Sequence, residues 1–201
     1  MTSSLKPHRK GFTLVELLVV IAIIVTLMAI LVPVIGRVQQ NAVRLEAKNT
    51  LTTLVNSVEG FYQDNSRLPS NNRQAPTQDS EIETTEPAMS VLAGYTIDQQ
   101  NTKQTVYFSG KEATGGSRNS ARNGLWEENN TAELFDPWRK RDNRGYIMLL
   151  DYDYSQKMTN PFQNGRQMSR RVVAWSTGKD GKWNRSNPKK GENKDNVYSW
   201  F

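Results

Sequence analysis

Chemistry in this chain falls to carboxylates, amides, hydroxyls and amines, because the sequence holds no cysteine and a single histidine, His8. Thiolate nucleophiles, Cys-ligated zinc and disulfide frameworks are excluded. A Ser-His-Asp relay would need His8, which stands in a short basic tail ahead of an apolar run. No spacing of carboxylates or of a Ser–Lys pair outlines a catalytic site, so an enzyme is not expected. The one acid whose position demands an explanation is Glu16. It directly precedes twenty uncharged residues, Leu17 to Gly36, nearly all aliphatic. A carboxylate there either marks the edge of the apolar segment or meets a partner charge. Were the chain cut between Gly11 and Phe12, a new α-amino group would lie four residues from Glu16, one helical turn away. In an assembly, Glu16 could reach a neighbour's terminus instead.

Positioning such a group requires a long helix. Twenty apolar residues span about 30 Å at ~1.5 Å per residue, the thickness of a bilayer core. A cleaved secretory signal fits less well, since its apolar region is shorter and a small-x-small site should follow it. Lys6, Arg9 and Lys10 precede the run, which predicts a cytoplasmic amino terminus. Pro33, with Gly36 three residues later, predicts a kink or local loosening, or else the end of the span. Against an end at Pro33, apolar residues continue at Val34, Val38, Ala42, Leu45, Leu51, Leu54, Val55, Val58, Phe61 and Tyr62. Steps of three and four make one helical stripe. A helix from Phe12 to about Tyr62 would measure roughly 75 Å at ~1.5 Å per residue. Gln63-Asp64-Asn65-Ser66, then Arg67-Leu68-Pro69, should stop it.

The segment Lys10-Gly11-Phe12-Thr13-Leu14-Val15-Glu16-Leu17-Leu18-Val19-Val20-Ile21 resembles the cleavage and methylation motif of type IV pilins and type II secretion pseudopilins. The resemblance implies a prepilin peptidase that cuts after Gly11 and N-methylates Phe12. It also implies that Glu16 is the glutamate that pairs with a neighbouring subunit's terminus. The family architecture is a helix whose first half lies in the membrane or filament core and whose second half packs on a head. The helix exit, Phe61 to Pro69, is similar to that of the major type II pseudopilin.

Residues 70–133 are weakly patterned, with Pro76, Pro87 and Gly115-Gly116 as breakers. Met89–Leu92 reads as a helical turn and Thr105–Phe108 as a strand. A loop this long inside a compact domain is unusual and suggests ordering by neighbours or mobility. Strand signals return at Tyr146–Leu150, Arg171–Trp175 and Val197–Phe201. Of 18 aromatic residues, 15 follow residue 69, which predicts a small aromatic core pinning a sheet to the helix. Phe135-Asp136-Pro137-Trp138 resembles the turn leading into the pseudopilin sheet.

The tail, Trp175-Ser176-Thr177-Gly178-Lys179-Asp180-Gly181 with Glu192, Asp195-Asn196 and Trp200, resembles the calcium-binding last loop of the major pseudopilin. Hard cations take six to eight oxygens, and the resemblance points to Asp180 and Asp195, with Asn196 and Ser176 as weaker ligands. Six cations between Lys179 and Lys194 oppose a divalent ion. The alternative is a metal-free turn at Asp180-Gly181 whose acids pair with lysines.

The fold expected is α+β, a long amino-terminal transmembrane helix packed on a small antiparallel sheet. Its parts would be a leader at 1–11, a membrane or filament half at 12–36, a head-packing half at 37–68, a variable region at 69–134 and a sheet region at 135–201. The function implied is a structural subunit of a type II secretion pseudopilus or related filament. Its partners would be the prepilin peptidase, copies of itself or other pseudopilins, an inner-membrane assembly platform and the lipid bilayer. A minor pilin or a membrane-anchored binding module, for example for DNA uptake, is the alternative. For that reading Arg139-Lys140-Arg141-Arg144 beside Trp138, with Arg170-Arg171, could face phosphates. The head is expected outside the cytoplasm, held at a bacterial inner membrane.

A formal charge of +6 and a pI near 9.5 suggest nucleic acid at first sight. Three of the 26 basic residues precede Phe12, however, leaving 23 against 20 acids, or +3. Half the excess is a topology signal, and nucleic acid is not expected as a partner. The mean hydropathy of −0.67 averages an oily helix and a polar head.

Overall fold

The computed structural model describes residues 12–138, 145–163 and 165–200. Two compact units divide the chain after Ala42. α1 (Leu14–Asn65) has Pro33 inside it, and the helix assignment continues through both Pro33 and Gly36. Over residues 12–42 every side chain is exposed. The helix is long and apolar enough there to cross a membrane. Its one hydroxyl within the uncharged run is satisfied internally, with Thr26 Oγ1 donating to the Ile23 carbonyl at 2.8 Å.

The second unit is built on residues 47–61 of α1. Ala47, Leu51, Leu54, Val58 and Phe61 have no exposed surface, and their alternating steps of four and three lay one stripe along the helix. This differs from the expected stripe at its start. Leu45 is 62% and Val38 59% exposed, and Ala47 opens the buried face instead. At the other end the Ser66 amide donates to the Tyr62 carbonyl at 2.8 Å. Ser66 itself turns left-handed, φ 53°, so the chain leaves the helix before Leu68 enters the core.

The remaining elements are β1 (Ser80–Glu83), α2 (Pro87–Leu92), β2 (Gly124–Glu128), β3 (Thr131–Phe135), β4 (Ile147–Leu150), β5 (Met158–Thr159), β6 (Gln167–Met168), β7 (Val172–Ser176) and β8 (Val197–Tyr198). A four-stranded antiparallel sheet has the order β1-β4-β7-β8, while β2–β3 and β5–β6 form two-stranded pairs. β4 and β7 are buried throughout, so they read as continuous apolar runs rather than as alternating ones. The two-residue period sorts their side chains onto two faces. Met148, Leu150, Val172 and Ala174 join the α1 stripe in one core. Ile147, Leu149, Val173 and Trp175 join Met158, Phe162 and Tyr198 in another. Phe162 sits edge-on to Trp175 at 5.4 Å and to Tyr198 at 4.8 Å between centroids, and Trp183 and Trp200 close over it.

Residues 70–133 are far from structureless. α2 buries Met89 and Leu92 in the main core. β2 and β3 meet through Asn129-Asn130, both left-handed at φ 50° and 61°, the backbone that a tight two-residue hairpin requires. The expected strand at Thr105–Phe108 does not form. The Tyr107 and Phe108 amides instead both donate to the Leu92 carbonyl at 2.9 Å, and Ser57 Oγ holds the Tyr107 carbonyl at 2.8 Å. The segment caps α2 against α1 and joins no sheet. Leu54→Ala should lower head stability by about 2–5 kcal/mol, whereas Leu45→Ala should stay within ~0.5 kcal/mol. Urea unfolding of the detergent-solubilised chain, followed by tryptophan fluorescence, reads both.

Candidate functional site

The start of α1 is organised by Thr13 and Glu16. Thr13 precedes the first helical residue, and its amide and hydroxyl both donate to Glu16 Oε2, at 2.8 and 2.7 Å. The Glu16 amide donates back to Thr13 Oγ1 at 3.2 Å. The Leu17 amide reaches the Thr13 carbonyl at 3.3 Å, the first turn of the helix. This is a reciprocal capping box: two amides without intrahelical acceptors are satisfied, and a carboxylate lies at the positive end of the helix dipole. Thr13 is the functional residue that the sequence reading passed over, although Thr-x-x-Glu ahead of an apolar run is its signal. Phe12 lies outside the helix and is 76% exposed. The group one turn from Glu16 is thus the Thr13 amide. Gly11 and the basic leader lie outside the described residues.

Residues 6–32 match a family model described as the prokaryotic N-terminal methylation motif. The amino-terminal segment of the chain carries that motif. The type IV major pilin protein PilA of Myxococcus xanthus (strain DK1622) is 37% identical to it over 65 residues, 32% of this chain and 30% of the relative. The chain thus matches less than a third of that curated relative's length. No solved structure matches.

Far from that motif, the tail brings two of the four expected cation ligands together. The Asp180 amide donates to Asp195 Oδ2 at 3.0 Å, and the Lys182 amide to Asp180 Oδ1 at 2.8 Å. Asp195 Oδ1 is buried and makes no hydrogen bond. Gly178, at φ +67°, lies so close that a Cβ would fall 2.4 Å from the Asp195 carbonyl oxygen; only glycine allows that approach. Ser176 and Asn196 are engaged elsewhere. Ser176 Oγ donates to Asp136 Oδ2 at 2.6 Å and accepts from the Gly178 amide. With its nitrogen turned toward the Thr177 carbonyl, 2.9 Å away, the Asn196 amide ties the loop shut. The Asp136-Pro137-Trp138 turn is therefore bolted to the end of β7.

Two features stand outside the expected sites. Asp79, Asp151 and Asp153 bring carboxylate oxygens within 4.8 Å of one another. Asp151 accepts from the Ser155 and Gln156 amides, whereas Asp79 Oδ1 is buried without a hydrogen bond. Of the basic groups considered for nucleic acid, Arg139, Lys140, Arg141 and Arg144 lie outside the described residues. Arg171 pairs with Glu59 at 2.6 Å and stacks 3.8 Å over the Tyr62 ring, holding β7 to α1.

Burial, then the charges of Asp153 and Asp151, push Asp79 above the ordinary carboxylate range. Folding therefore takes up a proton at Asp79, and stability declines as pH rises from the ordinary carboxylate range through the raised pKa. Asp79→Asn should melt higher than the parent chain at pH 7. The gap should close as pH falls through the carboxylate range, measured by thermal unfolding across pH 3–7.

Proposed function

We propose that the chain is a structural subunit that inserts in a membrane through α1 and assembles through the same helix into an extracytoplasmic filament. The supporting observation is the capped, all-exposed apolar segment. Residues 12–42 bury nothing within the chain, and so large an apolar surface requires lipid or other subunits around it. The Thr13–Glu16 box supplies the carboxylate with donors while the subunit is alone. Removal of residues 1–11 by a prepilin peptidase, with N-methylation of Phe12, creates the amine that replaces them in a neighbour. Head-to-tail repetition of one heterologous contact does not close and yields a filament. The basic leader keeps the amino terminus cytoplasmic, and an inner-membrane platform drives assembly. Within this class we favour a type II secretion pseudopilus or related filament, on the strength of the Asp136-Pro137-Trp138 turn and the cysteine-free tail. The role is scaffolding rather than catalysis.

The envelope-extracted protein should begin at Phe12 and carry one added methyl group, read by intact mass and terminal sequencing. Glu16→Ala should be processed and membrane-inserted yet missing from sheared filaments. An intact Met1 start, or wild-type filament yield from Glu16→Ala, removes this reading.

A second reading concerns the tail: Asp180 and Asp195 hold calcium. What supports it is the buried, unbonded Asp195 Oδ1 facing a loop that glycine alone permits. Hard oxygen ligands of this kind suit that ion, which would add electrostatic clamping of residues 178–195. Calcium at millimolar concentration should raise the melting temperature of the parent chain, by about 2.7 kcal/mol of stabilisation at a hundredfold excess over Kd. It should leave Asp195→Ala unmoved. A parent chain indifferent to calcium rules the site out.

A further inference from the structure

Arg44 and Lys48 stand one turn apart on α1, and the residues leading into β8 run beside them. Arg44 Nη2 donates to the Asn196 carbonyl at 3.4 Å, and Lys48 Nζ to the Tyr198 carbonyl at 2.5 Å. Between these elements lies an open groove of about 370 Å³, also bounded by Lys189 and Lys194. Four of its described lining residues are cations and none is an acid. Among the described residues, no carboxylate lies within ion-pair distance of Arg44, Lys189 or Lys194. The groove's rim carries Leu45, 62% exposed. Cations beside an exposed aliphatic group are the pattern of a surface that meets anionic headgroups with charge and the acyl boundary with an apolar side chain. The concentration of charge is marked. Residues 44–48 and 179–195 together hold eight cations, Arg44, Lys48 and the six from Lys179 to Lys194, against four acids, Glu46, Asp180, Glu192 and Asp195. Their excess of four exceeds the +3 of residues 12–201 as a whole.

We propose that this groove docks the head onto an anionic phospholipid surface, with Arg44, Lys189 and Lys194 on the phosphates and Leu45 at the acyl boundary. The inference rests on the membrane-anchored reading above, which also selects lipid over other anions. Only seven residues lie between Gly36 and Arg44, a tether of at most about 29 Å over eight Cα steps even fully extended. The bilayer that holds the apolar run is therefore always within reach, at an effective concentration no dissolved anion matches. A free phosphate lacks the surface that Leu45 would meet.

The test uses the full chain reconstituted in vesicles of phosphatidylcholine alone or with phosphatidylglycerol, with lysine acetylation rates read by mass spectrometry. Lys189 and Lys194 should react at least threefold more slowly with phosphatidylglycerol present. Half-molar salt, which shortens the screening length to a few ångströms, should restore the rates. Lys103 and Lys157, exposed elsewhere on the head, should not change. Arg44→Gln, an exposed position, should reduce the protection. Equal rates in both lipids, or equal slowing of all four lysines, overturns the proposal. Protection that grows with protein density in phosphatidylcholine alone assigns the groove to a second copy and also overturns it. A chain that fails to float with either vesicle fails the anchoring reading itself. One that floats without lipid-dependent protection fails only the groove assignment.

Discussion

Burial of the Ala47–Phe61 stripe is the interaction on which the rest of the head depends. Short elements contribute side chains to it: Leu92 from α2, Leu134 from β3, Met148 and Leu150 from β4, and Ala174 from β7. Strands of two to five residues do not hold together alone. Here they persist because the helix supplies a preformed apolar face, and polar contacts such as Glu59–Arg171 fix their position along it. Without disulfides, this packing has to supply the cohesion.

The sheet then sets a second requirement. A strand pair buried on one face by α1 carries Ile147, Leu149, Val173 and Trp175 on the other, and those side chains need a cover. The tail provides it through Trp183, Tyr198 and Trp200. Tyr198 reaches the Pro188 carbonyl at 3.1 Å, and burial pushes its hydroxyl up to about 12. The loop of residues 177–196 is thus the connection that the aromatic cover needs. Its glycine, its closing asparagine and its paired aspartates are organised first by that need. Any cation there acts on a loop already positioned by packing.

At the amino terminus the constraint is reversed, since among the described residues 12–42 every side chain is exposed. The segment is long and apolar enough to cross a membrane, and Glu16 stands at its start, next to Thr13. The capping box keeps that carboxylate engaged locally, through the amide and hydroxyl of Thr13.

Elements governed by local periodicity were legible without coordinates. The apolar run, the helix stop before Pro69, β4, β7 and β8 follow from side-chain patterns that each segment carries itself. The amino-terminal motif was readable for the same reason, its residues being contiguous. The hairpin at 124–135 was obscured because Glu127, Glu128 and Glu133 interrupt its apolar residues, leaving Asn129-Asn130 as the main signal. β1 has one core residue, Ile82, and becomes a strand only because β4 offers it an edge. Thr105–Phe108 has strand composition, yet the free carbonyl at the end of α2 captures it. By itself, then, the sequence determined the membrane-length helix, its processing motif and the apolar strands, all encoded within short windows. The tertiary structure alone decided that Ser176 and Asn196 hold the chain, that Asp79 meets Asp151 and Asp153, and that Arg44 and Lys48 share a groove with Lys189 and Lys194. Those groups lie from about twenty to about 150 residues apart in the chain, and only the packing of α1 and the tail around one sheet brings them together.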